Sequence, residues 1–205
     1  GNSITGKYTL MGESKSASVG DENQENQKTW FSKIRNEGTN TSVRQETGNS
    51  VTGDSKLHQD SEGSSFGTRD ETNQTLIIDA SSTSRSTESM DREGNSITGI
   101  YTLMGESRSE SSGVESQENQ KTRFVEFTSK GTSKSLRQET GNSVTGDSKL
   151  HQDSEGSSFG TRHERNQTLT IDAKSTSSST ESTDRDGNSI TGKYTLVGET
   201  NSESF

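Results

Sequence analysis

The chain has 205 residues, of which 19% are hydrophobic and 26% charged, with 22 basic against 31 acidic side chains and a formal net charge of −9. So small an apolar share, against the roughly 45–50% (glycine included) of ordinary globular chains, excludes a conventional hydrophobic core, and the acidic balance argues against nucleic acid as a partner, because phosphates demand a basic surface. Cysteine and proline are both absent, which removes disulfide frameworks, thiolate metal sites and a polyproline stalk and leaves every backbone N–H free to enter a β ladder.

In chain order, the hexapeptide Gly-Asn-Ser-Ile-Thr-Gly opens the sequence at Gly1 and returns at Gly94 and Gly187, a period of 93 residues. A variant with Val in place of Ile starts at Gly48 and Gly141. The chain therefore divides into repeat 1 at 1–93 with halves 1–47 and 48–93, repeat 2 at 94–186 with halves 94–140 and 141–186, and the start of a third at 187–205. The block from Arg44 to Arg69 recurs unchanged from Arg137 to Arg162. Such self-similarity marks an array that grows in one direction rather than a domain around one core. Because it starts on the first residue of a repeat and stops inside another, the sequence reads as a window on a longer array.

A finer beat runs through each repeat. The strongest apolar marks, Tyr8, Val19, Phe31, Val43, Leu57, Phe66, Ile78 and Met90, suggest a unit of 11 to 12 residues: a short strand followed by a polar turn. Ser, Thr, Val, Ile, Tyr and Phe dominate these stretches, and β-branched and aromatic side chains suit a pleated surface. Glycines at 38, 48, 53, 63, 94 and 99 are expected at the turns. Comparing copies indicates which positions face inward: Leu76 and Ile78 return as Leu169 and Ile171, whereas Ile77 becomes Thr170. The same comparison predicts a thin apolar spine of Tyr8, Leu10, Phe31, Val43, Leu57, Phe66, Leu76 and Ile78, with their copies Tyr101, Leu103, Phe124, Leu136, Leu150, Phe159, Leu169 and Ile171. Trp30, which becomes Arg123, and Met90, which becomes Thr183, are expected at the surface. The expected fold is all-β: an elongated repetitive array of short strands, either an antiparallel meander strip or a β-solenoid, forming part of a fibre. The short hairpin-like turns favour the meander.

Few residues point to chemistry. His58, which returns as His151, lies near Asp60 and Glu62, but one imidazole among carboxylates in a Ser/Gly-rich stretch lacks the fixed spacing of a metal site and reads as a solvated turn. An array offers no unique pocket for a catalytic constellation, so neither enzyme activity nor a cofactor is expected. Three Asn-X-Ser/Thr tripeptides, at Asn40, Asn73 and Asn166, are candidate glycosylation sites. No apolar run is long enough to span a membrane, and no signal peptide lies in this window.

The run Gly-Asn-Ser-Ile-Thr-Gly-X-Tyr-Thr-Leu at Gly1 and Gly94, with its counterpart at Gly187, resembles the Ser/Thr-rich repeat arrays of giant bacterial surface proteins, some of which carry RHS/YD-type repeats. The Tyr-Asp pairs and Gly-Arg steps of true YD repeats are missing, so the encapsulating shell of that family is not implied. What the resemblance implies is a secreted, repetitive, enzymatically silent segment. Taken with the composition, it leads to the expectation of a structural segment of an extracellular or cell-surface filament (matrix, coat or attachment fibre) that partners other copies of itself and carries covalent glycans. The alternative is an adhesin stalk that binds polysaccharide or a host surface.

Overall fold

The computed structural model describes residues 5–26, 29–119 and 122–205. Nine strands follow one another: β1 (Lys7–Asn26), β2 (Trp30–Asn49), β3 (Asp54–Asn73), β4 (Leu76–Asn95), β5 (Ile100–Asn119), β6 (Arg123–Asn142), β7 (Asp147–Asn166), β8 (Leu169–Asn188) and β9 (Lys193–Ser204). They form one sheet in sequence order, and every neighbouring pair is antiparallel. Of the two expected architectures, the chain adopts the meander. The two repeats share this sheet without a break, since β4 pairs with β5 across the boundary between them.

The expected unit of 11 to 12 residues needs correcting. The first eight strands are each 20 residues long, about 66 Å at roughly 3.3 Å per residue, so a 93-residue repeat holds four strands and each strand carries two of the apolar marks. Gly38 and Gly63, expected at turns, pair instead with Ser65 and Ser86 deep within β2, β3 and β4. Chain reversal falls to asparagine, the last residue of all eight of these strands.

Stability within the sheet comes from pairing rather than from a core. Val125 is the sole buried hydrophobic residue among those described, joined by the buried polar residues Ser32 and Glu164. Directly opposed hydroxyls link neighbouring strands across the middle of the sheet: Thr39 with Ser64 at 2.7 Å, Ser65 with Ser84 at 2.8 Å, Thr83 with Ser112 at 2.7 Å and Ser109 with Ser133 at 2.8 Å. Each such cross-strand pair contributes about 0.2–1 kcal/mol. Here the high Ser/Thr content does the work that apolar residues do in globular sheets.

Candidate functional site

The Gly-Asn-Ser-X-Thr-Gly motif is a hairpin loop. At the β2–β3 connection the Asn49 carbonyl accepts from the Gly53 N–H at 2.8 Å, while the Asn49 side-chain oxygen accepts from the Val51 N–H at 2.9 Å. Gly53 closes the reversal with φ of +81°, a conformation costly for any side chain. The same geometry recurs at Asn95–Gly99 and Asn142–Gly146. Because alternate hairpins of a meander share one rim, these loops stand side by side, and they are bonded to each other. The Ser50 N–H donates to the Gly6 carbonyl at 2.9 Å, and Ser96, Ser143 and Ser189 donate likewise to Gly53, Gly99 and Gly146 at 2.8 Å each. The Asn95 side-chain amide adds bonds to the Thr52 carbonyl at 2.9 Å and to Asp54 at 2.7 Å, repeated by Asn188 on Thr145 and Asp147. The X residue of each loop sits over the preceding glycine: a Cβ on Gly99 would lie 2.6 Å from Val144 and one on Gly146 2.7 Å from Ile190. The Asn, Ser, X, Thr and final Gly of the motif thus each have a task in a ladder of loops, which explains its recurrence.

The sheet has two faces of different chemistry, assigned by strict alternation along the paired strands. On the Tyr8 face the described residues include eight glutamates and seven arginines but no aspartate, lysine or histidine. The His58 face carries all eleven aspartates, nine lysines, all three histidines, twelve glutamates and four arginines, and so nearly all the net negative charge. The Tyr8 face is also the more recessed: along β3, Ser55, Leu57, Gln59, Ser61 and Gly63 are half-buried while the residues between them are exposed. Val125, Ser32 and Glu164, the buried residues of the strands, all belong to it.

The predicted spine does not form a single seam. Tyr8, Leu10, Leu57, Leu76, Ile78, Tyr101, Leu103, Leu150, Leu169 and Ile171 share the Tyr8 face, whereas Phe31, Val43, Phe66, Phe124, Leu136 and Phe159 lie on the other. The reason is parity: Leu57 and Phe66 are nine positions apart in one strand, and an odd separation places them on opposite faces. None of the sixteen is buried, and Leu10 and Leu169 are more than half exposed, at 59% and 55%.

Trp30 is half-buried rather than a surface residue, and its replacement in the second repeat keeps its role. Its indole N–H donates to Glu71 at 3.1 Å, and Arg123 donates to the equivalent Glu164 at 2.9 Å. In each repeat this bond is the largest cause holding the carboxyl below its ordinary pKa. Met90 is likewise half-buried.

His58 bridges two strands, bonding Asp91 of β4 at 2.7 Å through Nδ1 and Asp60 of its own strand at 2.8 Å through Nε2. His151 repeats this with Asp184 at 2.7 Å and Asp153 at 3.0 Å. These carboxylates raise both imidazole pKa values, Asp91 and Asp184 contributing most. Glu62, considered with His58 in the sequence, pairs instead with Arg85 at 2.5 Å. Among the described residues no group of three or more His, Cys, Asp or Glu side chains is arranged to hold a metal ion, and no helix is long and apolar enough to cross a membrane.

Asn73 and Asn166 are exposed at the ends of β3 and β7, entering two-residue turns on the rim opposite the loop ladder, each followed by a glutamine with positive φ. Asn40 lies mid-strand in β2, opposite Gly63. The chain matches no family model and no curated protein.

Proposed function

We propose that this chain is a structural, non-catalytic segment of an extracellular filament, in which sheets of this kind associate laterally and continue lengthwise. One observation carries the reading: the accessible surface is 14258 Å², against about 9,400 Å² for a compact monomer of this mass. Large hydrophobic side chains are exposed on both faces, a feature through which sheets associate. Glycans on Asn73 and Asn166, the last residues of β3 and β7, would stand at one rim, at the edge of the Tyr8 face. The loop ladder supplies a lengthwise element that each added repeat extends.

Sedimentation and negative-stain imaging across a concentration series test this. Assembly into filaments with a strand repeat of about 4.8 Å is the expected result. A monodisperse monomer at every concentration, with its β-type circular dichroism intact, would overturn it. Glycan-array binding by such a monomer would instead support the stalk reading.

A further inference from the structure

We infer that the Tyr8 face is a docking surface for the Tyr8 face of a second copy, giving a two-layer unit with the His58 faces outward. The inference rests on the filament reading and specifies how its subunits meet. Three independent observations support it.

The first is the partition of charge. Arginine is weakly hydrated and forms planar, paired contacts, which suits it to buried interfaces, whereas lysine and aspartate are depleted there. The Tyr8 face holds seven arginines and no lysine or aspartate among the described residues, and is balanced to within one charge. The His58 face carries a net charge of ten negatives among the described residues, counting histidine as neutral. Two His58 faces would repel, and two Tyr8 faces would not.

The second is a row that is complementary to itself. Across the sheet, Leu10, Glu46, Leu57, Arg92, Leu103, Glu139, Leu150, Arg185 and Leu196 stand side by side. Rotating a second copy by half a turn about an axis along β5 places Leu57 over Leu150, Glu46 over Arg185 and Arg92 over Glu139. The same rotation brings Arg69 over Arg162 and Glu71 over Glu164, where each arginine already pairs with the glutamate of its own strand, and sets Glu115 of β5 against its own copy.

The third is relief. Toward the middle of this face the side chains shrink to hydroxyls and hydrogens, as in the row Ser18, Gly38, Ser65, Ser84, Ser111, Gly131, Ser158 and Ser177. Two such belts let sheets close to roughly the 10 Å of face-to-face packing. Nine strands about 4.8 Å apart and about 66 Å long give each copy well over the roughly 800 Å² per partner of a stable interface.

Two experiments on the full chain test this. Reversing Arg92 and Arg185 together (R92E/R185E) leaves only glutamates at the charged positions of the row, and E46R/E139R leaves only arginines. Each variant alone should raise the concentration needed for assembly by about tenfold or more, since opposed like charges cost several kcal/mol, and an equimolar mixture should restore it. Neighbouring single-cysteine variants, Ser86→Cys on the Tyr8 face and Thr87→Cys on the His58 face, introduce the sole thiol into a chain with no cysteine. In assembled material a maleimide should label the cysteine at 87 and spare that at 86. Equal labelling of both in assembled protein, or no rescue on mixing, would overturn the proposal while leaving the filament reading intact. Failure of the unmodified chain to assemble at all would overturn both.

Discussion

Gly99 occupies a position that tolerates no side chain, for two separable reasons. Its φ is +76°, and an added Cβ would lie 2.6 Å from Val144 Cγ2 and 2.8 Å from the Val144 backbone nitrogen. Gly192 shares the backbone conformation, with φ of +69°, but a Cβ there meets nothing within 4 Å. Gly192→Ala should therefore cost about 1 kcal/mol from backbone strain alone, and Gly99→Ala about 1–3 kcal/mol more from the displaced loop. Urea denaturation of the two variants side by side measures the difference, and equal losses would mean that loop-on-loop contact contributes nothing. Position 30 provides a second comparison. Trp30→Arg copies the second repeat and keeps a donor for Glu71, so it should be near neutral, whereas Trp30→Leu removes the donor and should cost about 1 kcal/mol. A thermal melt in which Leu is tolerated as well as Arg would show that the hydrogen bond is not the reason for the exchange.

At the scale of the strand, the imidazoles give the sheet a dependence on pH with a definite sign. His58 joins β3 to β4 and His151 joins β7 to β8, with folded pKa values raised chiefly by Asp91 and Asp184. Their contribution is complete below the ordinary imidazole value of about 6.5 and is lost as pH rises through the raised folded values. Asp60 and Asp153 act in the opposite sense. Held below the ordinary carboxylate value, first by Ser89 and Ser182, they contribute above that value and fail as pH falls through the depressed one. Denaturation midpoints should thus decline as pH rises from about 6.5 through the raised imidazole values, and the double variant His58→Gln, His151→Gln should flatten that limb. An unchanged limb in the variant would assign the dependence to other groups.

Strand type, antiparallel order and the hairpin nature of Gly-Asn-Ser-X-Thr-Gly were legible in the sequence, because β-branched residues, missing proline and the Asn–Gly spacing are local signals. Strand length was not, because a central belt such as Gly63, Ser64 and Ser65 has the composition of a turn although its residues are opposed by Thr39, Ser84 and Ser86. The signal that does mark the ends is asparagine at 26, 49, 73, 95, 119, 142, 166 and 188, about every quarter of a repeat. With strand length misjudged, the two marks in each strand read as one face, and so Phe66 joined Leu57 in a spine that the pleat divides. The charge asymmetry of the faces was hidden for the same reason, since it emerges only once all residues of a strand are sorted by parity.

At the scale of the whole molecule, each strand touches only its sequence neighbours, so stability should scale with strand number as in other one-dimensional arrays. Deleting Asp54 through Gly146 joins Gly53 to Asp147 and sets β2 beside β7, whose paired sequence from Asp147 to Arg162 is identical to that of β3 from Asp54 to Arg69. The shortened chain should keep its ellipticity per residue and unfold at lower denaturant. Loss of β structure altogether would mean that the strands depend on one another beyond their neighbours.

The bonds between these loops all run the same way, from the serine N–H, and at Asn95 and Asn188 also the side-chain amide, of a later loop to the one before it. The rim consequently has a direction, and the loops along it donate backward and accept from the loop ahead. Gene duplication or loss in whole units leaves that accounting unchanged at every junction, so the number of units is free to drift during evolution while the local geometry stays fixed.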